Sequence, residues 1–328
     1  METSDPAQAA TGEAAMPQQA GGADDFGEGL LAGLQANPKH IACKFFYDAR
    51  GSTLFERICT LPEYYPTRTE LALLDRHAAE FAALIGDDAE LVEFGAGSGR
   101  KVRLLLDTLC RPRAYIPVDI SGEHLHEAVR GLAADYPHLA IRPVVADYTR
   151  PFRLPAPLPG ARRRIGFFPG STIGNFTPEE AIGFLGIAAD MLRGGGLLVG
   201  VDLVKDPAIL HAAYNDAEGV TAAFNKNVLV RANRELGADF AVERFAHYAF
   251  YQPLARRIEM HLMSLDAQCV HVAGREFRFD AGETLHTENS YKYTPAAFRE
   301  LAAQAGFTPR ACWTDPRALF SLHWLVAA

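Results

Sequence analysis

The sequence predicts an α/β fold with a parallel sheet, helices on both of its faces, and a second, antiparallel unit inserted late in the chain. Three observations carry this prediction. Short apolar segments alternate with helical patterns over residues 91–204, a glycine cluster follows the first apolar segment, and a two-residue alternation replaces this rhythm beyond residue 240. Alternating strands and helices are typical of a parallel sheet that is covered on both faces.

Five buried strands are predicted, and each is followed by turn residues; they span 91–94, 114–120, 141–148, 164–170 and 196–204. Helices are predicted between them, at 101–109, 121–135 and 178–193. The last of these helices begins after Thr177, carries acidic residues in its first turn and ends at Gly194, all of which are ordinary helix signals. Ligands of such sheets bind at the carboxyl ends of the strands.

The later part of the chain follows other patterns. Residues 205–240 are predicted to be helical, and the segment IEMHL (258–262) alternates apolar and polar residues as a half-buried antiparallel strand does. A helix over 294–307 and two short strands, ACWTD and LFSLHWLVA, end the chain. A five-stranded parallel core with a late helix and a terminal hairpin resembles the Rossmann-like, seven-stranded sheet of class I S-adenosylmethionine (SAM) methyltransferases, here with an inserted α+β domain.

Composition excludes several classes of protein. The net charge of −8 argues against a nucleic-acid partner, because phosphate binding needs a basic face. Residues 1–27 are rich in Ala, Gly, Pro, Gln and acids, so we expect a disordered acidic tail without the features of a signal or transit peptide. No apolar run approaches the roughly 18 residues of a membrane span. The five cysteines form no CxxC pair, so we expect no metal site and a cytoplasmic protein. We also expect a monomer.

The segment LVEFGAGSGRK (91–101) indicates which nucleotide binds. A nicotinamide fingerprint, G-x-G-x-x-G, would need a glycine where Arg100 stands. The acid-x-G-x-G-x-G pattern of methyltransferases is complete, from Glu93 through Gly95 and Gly97 to Gly99. Glycines permit positive φ angles and let the backbone approach a ligand closely. A glycine turn that merely packs against a helix is the alternative interpretation.

Two further acids follow in order at predicted strand ends. Asp119 lies at the end of the second strand, where a carboxylate can accept both hydroxyls of a ribose, although NAD-binding proteins use the same device. Asp147 follows the third strand and can accept from an adenine amino group, with the ring of Tyr148 beside it. A cap on the next helix is the alternative role for either acid. Three acids at successive strand ends favour a nucleoside site.

Longer motifs extend beyond the glycine loop. They are KFFYDARGSTLFERICTLPEYYPTRTE (44–70), GSTIGN (170–175), AYNDAEGVTAAFNKN (213–227), NRELGADF (233–240), RIEMHL (257–262), TENSYKY (287–293) and WTDP (313–316). In these motifs and in their order, the chain resembles the histidine Nα-methyltransferases of ergothioneine biosynthesis, from about residue 38 to its end. Gly99 is a mild departure, because family members often carry another small residue there.

The resemblance implies trimethylation of the α-amine of L-histidine by three SAM molecules, which gives hercynine. Carried over by position, it implies that SAM is held by Tyr47, Gly95, Lys101, Asp119, Asp147 and Tyr148. It implies that the amino acid is held by Phe55, Tyr64, Asn175, Tyr214, Met260, Glu288 and Ser290. Tyr47, acting through water, and Asn175 are the candidate catalytic residues. The implied domains are 28–67 with 205–292 for the substrate, and 68–204 with 293–328 for SAM.

The residue types suit this chemistry. A neutral imidazole has one donor and one acceptor nitrogen. Glu288 and Ser290 are two residues apart, so in an extended segment both point the same way and can pair with the two nitrogens. Two solvated groups on a strand edge are the alternative. The hydroxyls of Tyr64 and Tyr214 and the amide of Asn175 can satisfy a carboxylate without adding a positive charge beside the sulfonium.

Two other functions remain open at this stage. The protein could methylate the α-amine of another amino acid such as tryptophan, or it could bind SAM without catalysis. The spacing Glu288-x-Ser290 argues against the first alternative, since its polar pair suits a ring with two nitrogens. The complete set of Tyr64, Asn175, Tyr214 and Glu288 argues against the second.

Overall fold

The computed structural model describes residues 23–97 and 99–328. Its helices are α1 Ala23–Gln35, α2 Ala49–Ile58, α3 Tyr65–Arg76, α4 Ala78–Ile85, α5 Arg100–Leu106, α6 Gly122–Asp135, α7 Pro178–Met191, α8 Pro207–Tyr214, α9 Val220–Leu236 and α10 Pro295–Gln304. Short 3-10 helices span Cys43–Phe46, Thr172–Asn175 and Val242–Arg244. Within the described residues, no helix combines the length and the apolar content needed to cross a membrane.

The strands are β1 Ala89–Phe94, β2 Ala114–Asp119, β3 Ala140–Ile141, β4 Val144–Val145, β5 Arg163–Phe168, β6 Gly196–Asp202, β7 Phe245–Gln252, β8 Arg257–Ser264, β9 Gln268–Val272, β10 Arg275–Phe279, β11 Thr284–Tyr291, β12 Phe307–Thr314 and β13 Phe320–Ala327. The main sheet has the order β12-β13-β6-β5-β1-β2-β3, with β4 also on β2. Only β12 and β13 run antiparallel to their neighbours. This confirms the predicted Rossmann-like sheet.

The predicted third strand, 141–148, is shorter and divided. Its two parts, β3 and β4, pair in succession with the start and the end of β2 and so occupy one edge position of a seven-position sheet. Pro143 lies between the two parts. Proline has no N–H to donate to the ladder, so pairing is interrupted there. The division leaves Asp147 just beyond the strand end, beside Asp119 of the neighbouring strand.

Burial explains why β1 lies at the centre of this sheet. All six of its residues are buried, including Glu90 and Glu93. Parallel strands that helices cover on both faces are apolar in nearly every position, because neither face meets water. One core cluster lies on each face of the sheet, and β1 contributes Val92 and Phe94 to one cluster and Leu91 to the other. The glycine loop therefore starts from a rigid strand end.

The second unit contains a three-stranded antiparallel sheet, β11-β8-β7, and the hairpin β9-β10. Its core cluster draws its side chains mainly from residues 26–65 and 210–285. The exact domain division stays a prediction. The segment predicted as helical, 205–240, forms two helices, because the Asp216 carboxylate accepts from the backbone N–H of Val220 and of Thr221 at 2.8 Å and starts α9 anew.

The predicted tail, 1–27, extends too far into the fold. Helix α1 begins at Ala23, and its Phe26 is only 1% exposed because it packs against Phe45 with a ring-centroid distance of 5.3 Å. Phe26, Leu30 and Leu34 recur every four residues, which is the helical signal that the acidic composition obscured. Residues 1–22 lie outside the described part of the chain.

Candidate active site

A cavity lies between the carboxyl ends of β5 and β6 and the inner face of the antiparallel sheet. Every residue that was predicted to hold the amino acid lines it, and so does Tyr47; together they are Tyr47, Phe55, Tyr64, Asn175, Tyr214, Met260, Glu288 and Ser290. These residues come from segments as far apart as 47 and 290. The structure therefore gathers the predicted substrate residues around one space.

An aromatic wall forms one side of the cavity. The rings of Tyr47 and Phe55 meet edge to face at 5.6 Å, Phe55 meets Tyr64 at 6.3 Å, and Tyr64 meets Tyr214 at 6.5 Å. Tyr47 is fixed from behind, because the next residue, Asp48, caps α2 by accepting from the backbone N–H of Gly51 at 2.7 Å. This wall can hold a flat ring by packing, while its hydroxyls supply polar contacts.

Glu288 and Ser290 both reach the cavity because of a β-bulge. The register of β11 against β8 shifts between His286 and Glu288, and the extra residue, Thr287, donates its hydroxyl to the Met260 carbonyl at 3.0 Å. The shift changes the parity of the strand, so that Glu288 and Ser290 face inward instead of Asn289. The prediction that the two side chains point the same way is confirmed, but the bulge decides which way.

The electrostatics of Glu288 follow from its burial. Glu288 is only 9% exposed. Burial raises the pKa of Glu288 to about 7, although the cation of Lys292 opposes the shift. Near neutral pH the carboxyl can therefore exchange a proton, and above this pH it is an acceptor for an N–H group.

Asn175 reaches the cavity from the turn that follows β5. Gly170 and Ser171 both have positive φ angles, 82° and 57°, and the Ser171 hydroxyl accepts from the Asp202 backbone N–H at 2.8 Å. A side chain on Gly174 would meet the Tyr291 carbonyl at 2.7 Å, so only glycine lets this turn approach β11. The strained turn thus fixes Asn175 at the end of its 3-10 helix.

Tyr47 cannot act as a phenolate base. Burial, with the Glu288 carboxylate adding to it, raises the pKa of Tyr47 well above its ordinary value. Its hydroxyl stays protonated at neutral pH, and the same holds for Tyr64, whose pKa burial also raises. The predicted role of Tyr47 in proton removal is therefore restricted to relaying a proton through its hydroxyl.

Apart from Tyr47, which lines the cavity, the predicted SAM residues lie at the carboxyl edge of the main sheet. Gly95 has a φ of 74°, and a methyl group there would stand 3.3 Å from the Tyr148 hydroxyl. Among the described residues other than its chain neighbours, none has an atom within 4 Å of the same position on Gly97, so the space towards them is open. Asp119 ends β2, and Asp147 follows the end of the neighbouring strand β4. These groups fit a nucleoside, because carboxylates can accept from ribose hydroxyls and from an adenine amine.

Ion pairs connect this edge to the rest of the molecule. Lys44 Nζ lies 3.1 Å from Asp147 Oδ2 and 2.8 Å from Asp25 Oδ2 of α1, so the N-terminal helix is tied to the residue that was predicted to bind adenine. Lys101 Nζ lies 2.6 Å from the fully buried carboxylate of Glu70. Glu70 also accepts from the Gly170 backbone N–H at 2.9 Å. Lys101 therefore supports the turn that leads to Asn175.

Glu93, the acid of the glycine motif, points into the sheet. It is 3% exposed and accepts a short hydrogen bond from the Tyr115 hydroxyl. Burial raises the pKa of Glu93 to about 7, and the bond from Tyr115 opposes this shift. Its position holds β1 and β2 in register beside the loop.

Sequence reasoning missed Lys292 and Asp202. Both line the cavity, and the two are paired although they are 90 residues apart. The wall therefore also contains a buried ammonium, which the predicted set of substrate residues does not include. Asp202 ends β6 as Asp119 ends β2, and this strand-end pattern was the available signal for it.

Histidines that are scattered in the sequence meet in the antiparallel sheet. His261 and His286 are cross-strand partners with ring centroids 4.9 Å apart, and Glu259 Oε2 lies 3.2 Å from His261 Nε2. Their donor atoms lie within 4.8 Å of one another, close enough for a metal ion. Arg257 already binds the Glu259 carboxylate at 2.6 Å. The side chains of this group lie on the face of the sheet that points away from the cavity.

The strand order, the glycine loop after β1 and the acids that end successive strands define a class I SAM-dependent methyltransferase. The model of the family described as histidine-specific, SAM-dependent methyltransferases matches residues 26–327. The chain belongs to this family.

Individual relatives agree with this assignment. The chain is 45% identical to histidine N-alpha-methyltransferase of Mycolicibacterium smegmatis, over 90% of this chain and 93% of that protein. It is 42% identical to the protein of the same name from Mycobacterium tuberculosis, over 89% and 92%. It is 31% identical to ergothioneine biosynthesis protein 1 of Neurospora crassa, over 88% of this chain but 33% of that longer protein.

Proposed function

We propose that this protein transfers three methyl groups from SAM to the α-amine of L-histidine and forms hercynine. The observation that carries the proposal is the inward-facing pair of Glu288 and Ser290 in a cavity with an aromatic wall. An acidic acceptor and a hydroxyl on one strand match the two nitrogens of an imidazole. The names of the relatives point to the same substrate.

The side-chain end of histidine lies between Glu288 and Ser290 in this proposal. Ionised Glu288 accepts from the ring N–H, and the Ser290 hydroxyl donates to the other nitrogen. Met260 and Phe55 pack on the faces of the ring. Met260 is 1% exposed and is paired across the sheet with Glu288, so the ring is held where water has little access.

The backbone end of histidine lies against Tyr64, Asn175 and Tyr214. The Tyr64 hydroxyl and the Asn175 amide donate to the carboxylate, the Tyr214 ring packs beside it, and Lys292 in the same wall adds a favourable cationic field. Two anchored ends leave the amine one position in the cavity. Orientation of this kind can lower a barrier by several kcal/mol, up to about 7–11 in favourable cases.

SAM supplies an electrophilic methyl group on a sulfonium. The amine nitrogen uses its lone pair to form the new N–C bond, the C–S bond breaks, and its electron pair stays on sulfur. The amine is largely protonated at neutral pH, so the nitrogen must lose one proton before each of the three transfers to free its lone pair. The Tyr47 hydroxyl can relay that proton, and Asn175 can hold the nitrogen in line. Gly95, Asp119, Asp147, Tyr148 and Lys101 are the proposed SAM contacts.

Mass spectrometry after incubation with SAM and each of the twenty amino acids separately tests the proposal. The expected result is a product with three added methyl groups from L-histidine and little product from the others. Methylation of tryptophan instead would support the alternative substrate, and no product from any amino acid would support a non-catalytic protein. A monomeric state and a cytoplasmic location stay predictions.

A further inference from the structure

One buried cation organises the polar wall of the cavity. Lys292 directly follows β11 and is 2% exposed. Its Nζ lies 2.7 Å from Ser290 Oγ, 2.9 Å from Asp202 Oδ2 and 3.3 Å from Tyr214 Oη. An ammonium has three donors and no acceptor. These three oxygens therefore engage all three of its N–H groups, and each of them acts as an acceptor.

The surroundings keep Lys292 charged. Burial is the largest single effect and opposes the charge, but the Asp202 carboxylate and the Tyr214 oxygen together outweigh it and raise the pKa of Lys292. Asp202 is 1% exposed and also accepts from Lys205 and from the Tyr65 hydroxyl. Burial likewise opposes the charge on Asp202, and the two lysines together lower the pKa of Asp202. The interior thus contains a fixed ammonium directly behind Ser290.

The number of hydroxyl protons shows whether this wall donates or accepts hydrogen bonds. Tyr214 Oη and Ser290 Oγ lie 2.7 Å apart, so one of the two hydroxyls donates to the other. Each oxygen also accepts from Lys292. The pair has two hydroxyl protons, and only one is used within the pair. Because both hydroxyls line the cavity, the second proton is available to a ligand. This wall therefore acts as a donor towards the cavity, while ionised Glu288 acts as an acceptor.

We propose that Lys292 is a positioning residue that fixes the Ser290–Tyr214 pair as a hydrogen-bond donor and thereby selects a substrate ring with an unprotonated nitrogen at that point. The inference rests on the proposed function, because it assumes that the ring lies between Glu288 and Ser290. It adds the protonation state of the substrate: a neutral imidazole with its N–H towards Glu288 and its lone pair towards Ser290. A buried ammonium next to Ser290 also disfavours an imidazolium ring.

The test compares kcat/KM for L-histidine with kcat/KM for an analogue in which a pyrrole ring replaces the imidazole. The analogue keeps an N–H group but has no second ring nitrogen, and so no in-plane lone pair that could accept a hydrogen bond. The wild type should prefer histidine by about a hundredfold or more, because the analogue leaves a buried donor unpaired. Lys292→Met frees the hydroxyl pair to reorganise, so the preference should fall by about tenfold or more. The loss for histidine should lie mainly in KM, since the methyl-transfer groups are unchanged.

Lys205→Met is the matched control. It removes the other cation from Asp202 but leaves both contacts of Lys292 with the hydroxyl pair intact. The preference of the Lys205→Met variant for histidine over the pyrrole analogue should stay near that of the wild type. Ser290→Ala should lower the preference by itself, and Lys292→Met added to it should lower it little further, because the lysine acts through that hydroxyl.

An unchanged preference in Lys292→Met would overturn this inference alone, and so would an equal fall in Lys205→Met, which would show a general charge effect. If wild-type protein methylates no histidine, the proposed function fails and the inference fails with it. Should Lys292→Met not fold, Lys292→Met combined with Asp202→Asn removes both charges of the buried pair, and the same ratio gives the answer.

Discussion

The Asp119 carboxylate accepts a hydrogen bond from the Ser121 backbone N–H at 2.8 Å, at the end of β2 and just before α6. The residue therefore has a local role in fixing the turn before α6 besides its proposed role towards the ribose. A substitution at Asp119 that removes the carboxylate disturbs both. The two roles can be separated, since an amide oxygen can accept the same hydrogen bond but carries no charge.

Asp119→Ala should weaken SAM binding by about 1.5–3 kcal/mol, because a charged acceptor for ribose hydroxyls is lost. Histidine binding should change far less. Asp119→Asn should weaken SAM binding as well, but it should keep the melting temperature nearer to that of the wild type, because it retains an acceptor for Ser121. Calorimetric titration with SAM and with histidine measures both effects. A loss of histidine affinity with unchanged SAM affinity would contradict this assignment of Asp119.

Glu288→Ala should shift specificity from histidine towards tryptophan. The substitution removes the acceptor for the ring N–H, so histidine should lose about 2–4 kcal/mol of discrimination. Bulkier apolar side chains should be less disfavoured, because no buried carboxylate remains to be desolvated. Methyl transfer should persist at saturating substrate, since Tyr64, Asn175 and Tyr214 still hold the backbone end.

The measurement for this variant is kcat/KM for histidine and for tryptophan, in the wild type and in Glu288→Ala. A ratio that does not move towards tryptophan would show that Glu288 does not bind the ring. A fall in kcat for histidine at unchanged affinity would assign Glu288 to proton transfer instead.

Glu288→Gln should stabilise the ligand-free protein at high pH. Because burial raises the pKa of Glu288 to about 7, the folded state keeps its proton while the unfolded state, with an ordinary value of 4.5, has lost it. The contribution of Glu288 to the free energy of unfolding of the wild type therefore falls as the pH rises from 4.5 to 7. The variant lacks this loss, so it should be more stable by about 2–3 kcal/mol at pH 8 and nearly equal to the wild type at pH 4.5.

Denaturant unfolding of both proteins across this pH range measures the difference. Glu56→Gln, on the exposed face of α2, serves as a control for the loss of one negative charge. A stability gap that is the same at pH 4.5 and pH 8 would contradict the burial argument for Glu288.

Deletion of residues 1–22 should leave the melting temperature and the activity nearly unchanged, because their composition offers little apolar surface to bury.

Phe26→Ala, in contrast, should lower the melting temperature. Phe26 is 1% exposed and packs on Phe45, with the Arg231 guanidinium 4.2 Å from its ring centroid, so the substitution should destabilise the fold by about 3–5 kcal/mol. Thermal unfolding and a methylation assay measure both. A large loss from the deletion would show that this segment docks on the folded protein.

The sequence by itself determined the order of strands and helices in the main sheet and the location of the glycine loop. Its resemblance to a family also indicated most of the residues that line the cavity, although it omitted Lys292 and Asp202. Apolar periodicity, capping residues and turn residues act over a few neighbouring positions, so they can be recognised in the linear chain. The start of α1 was predicted too late in the chain, because the acidic composition of residues 1–27 was given more weight than the four-residue spacing of Phe26, Leu30 and Leu34.

Tertiary structure alone decided the bulge that turns Glu288 and Ser290 inward, the meeting of His261 with His286, and the pairing of Lys292 with Asp202. It also decided that Tyr47 keeps its proton and that the pKa of Glu288 is raised to about 7. Register between strands and burial of charge depend on segments that are distant in the chain: Tyr214 and Ser290 are 76 positions apart, yet their hydroxyls are hydrogen-bonded. No local pattern contains this information, because the free energy of a buried charge is set by the neighbours that folding brings to it.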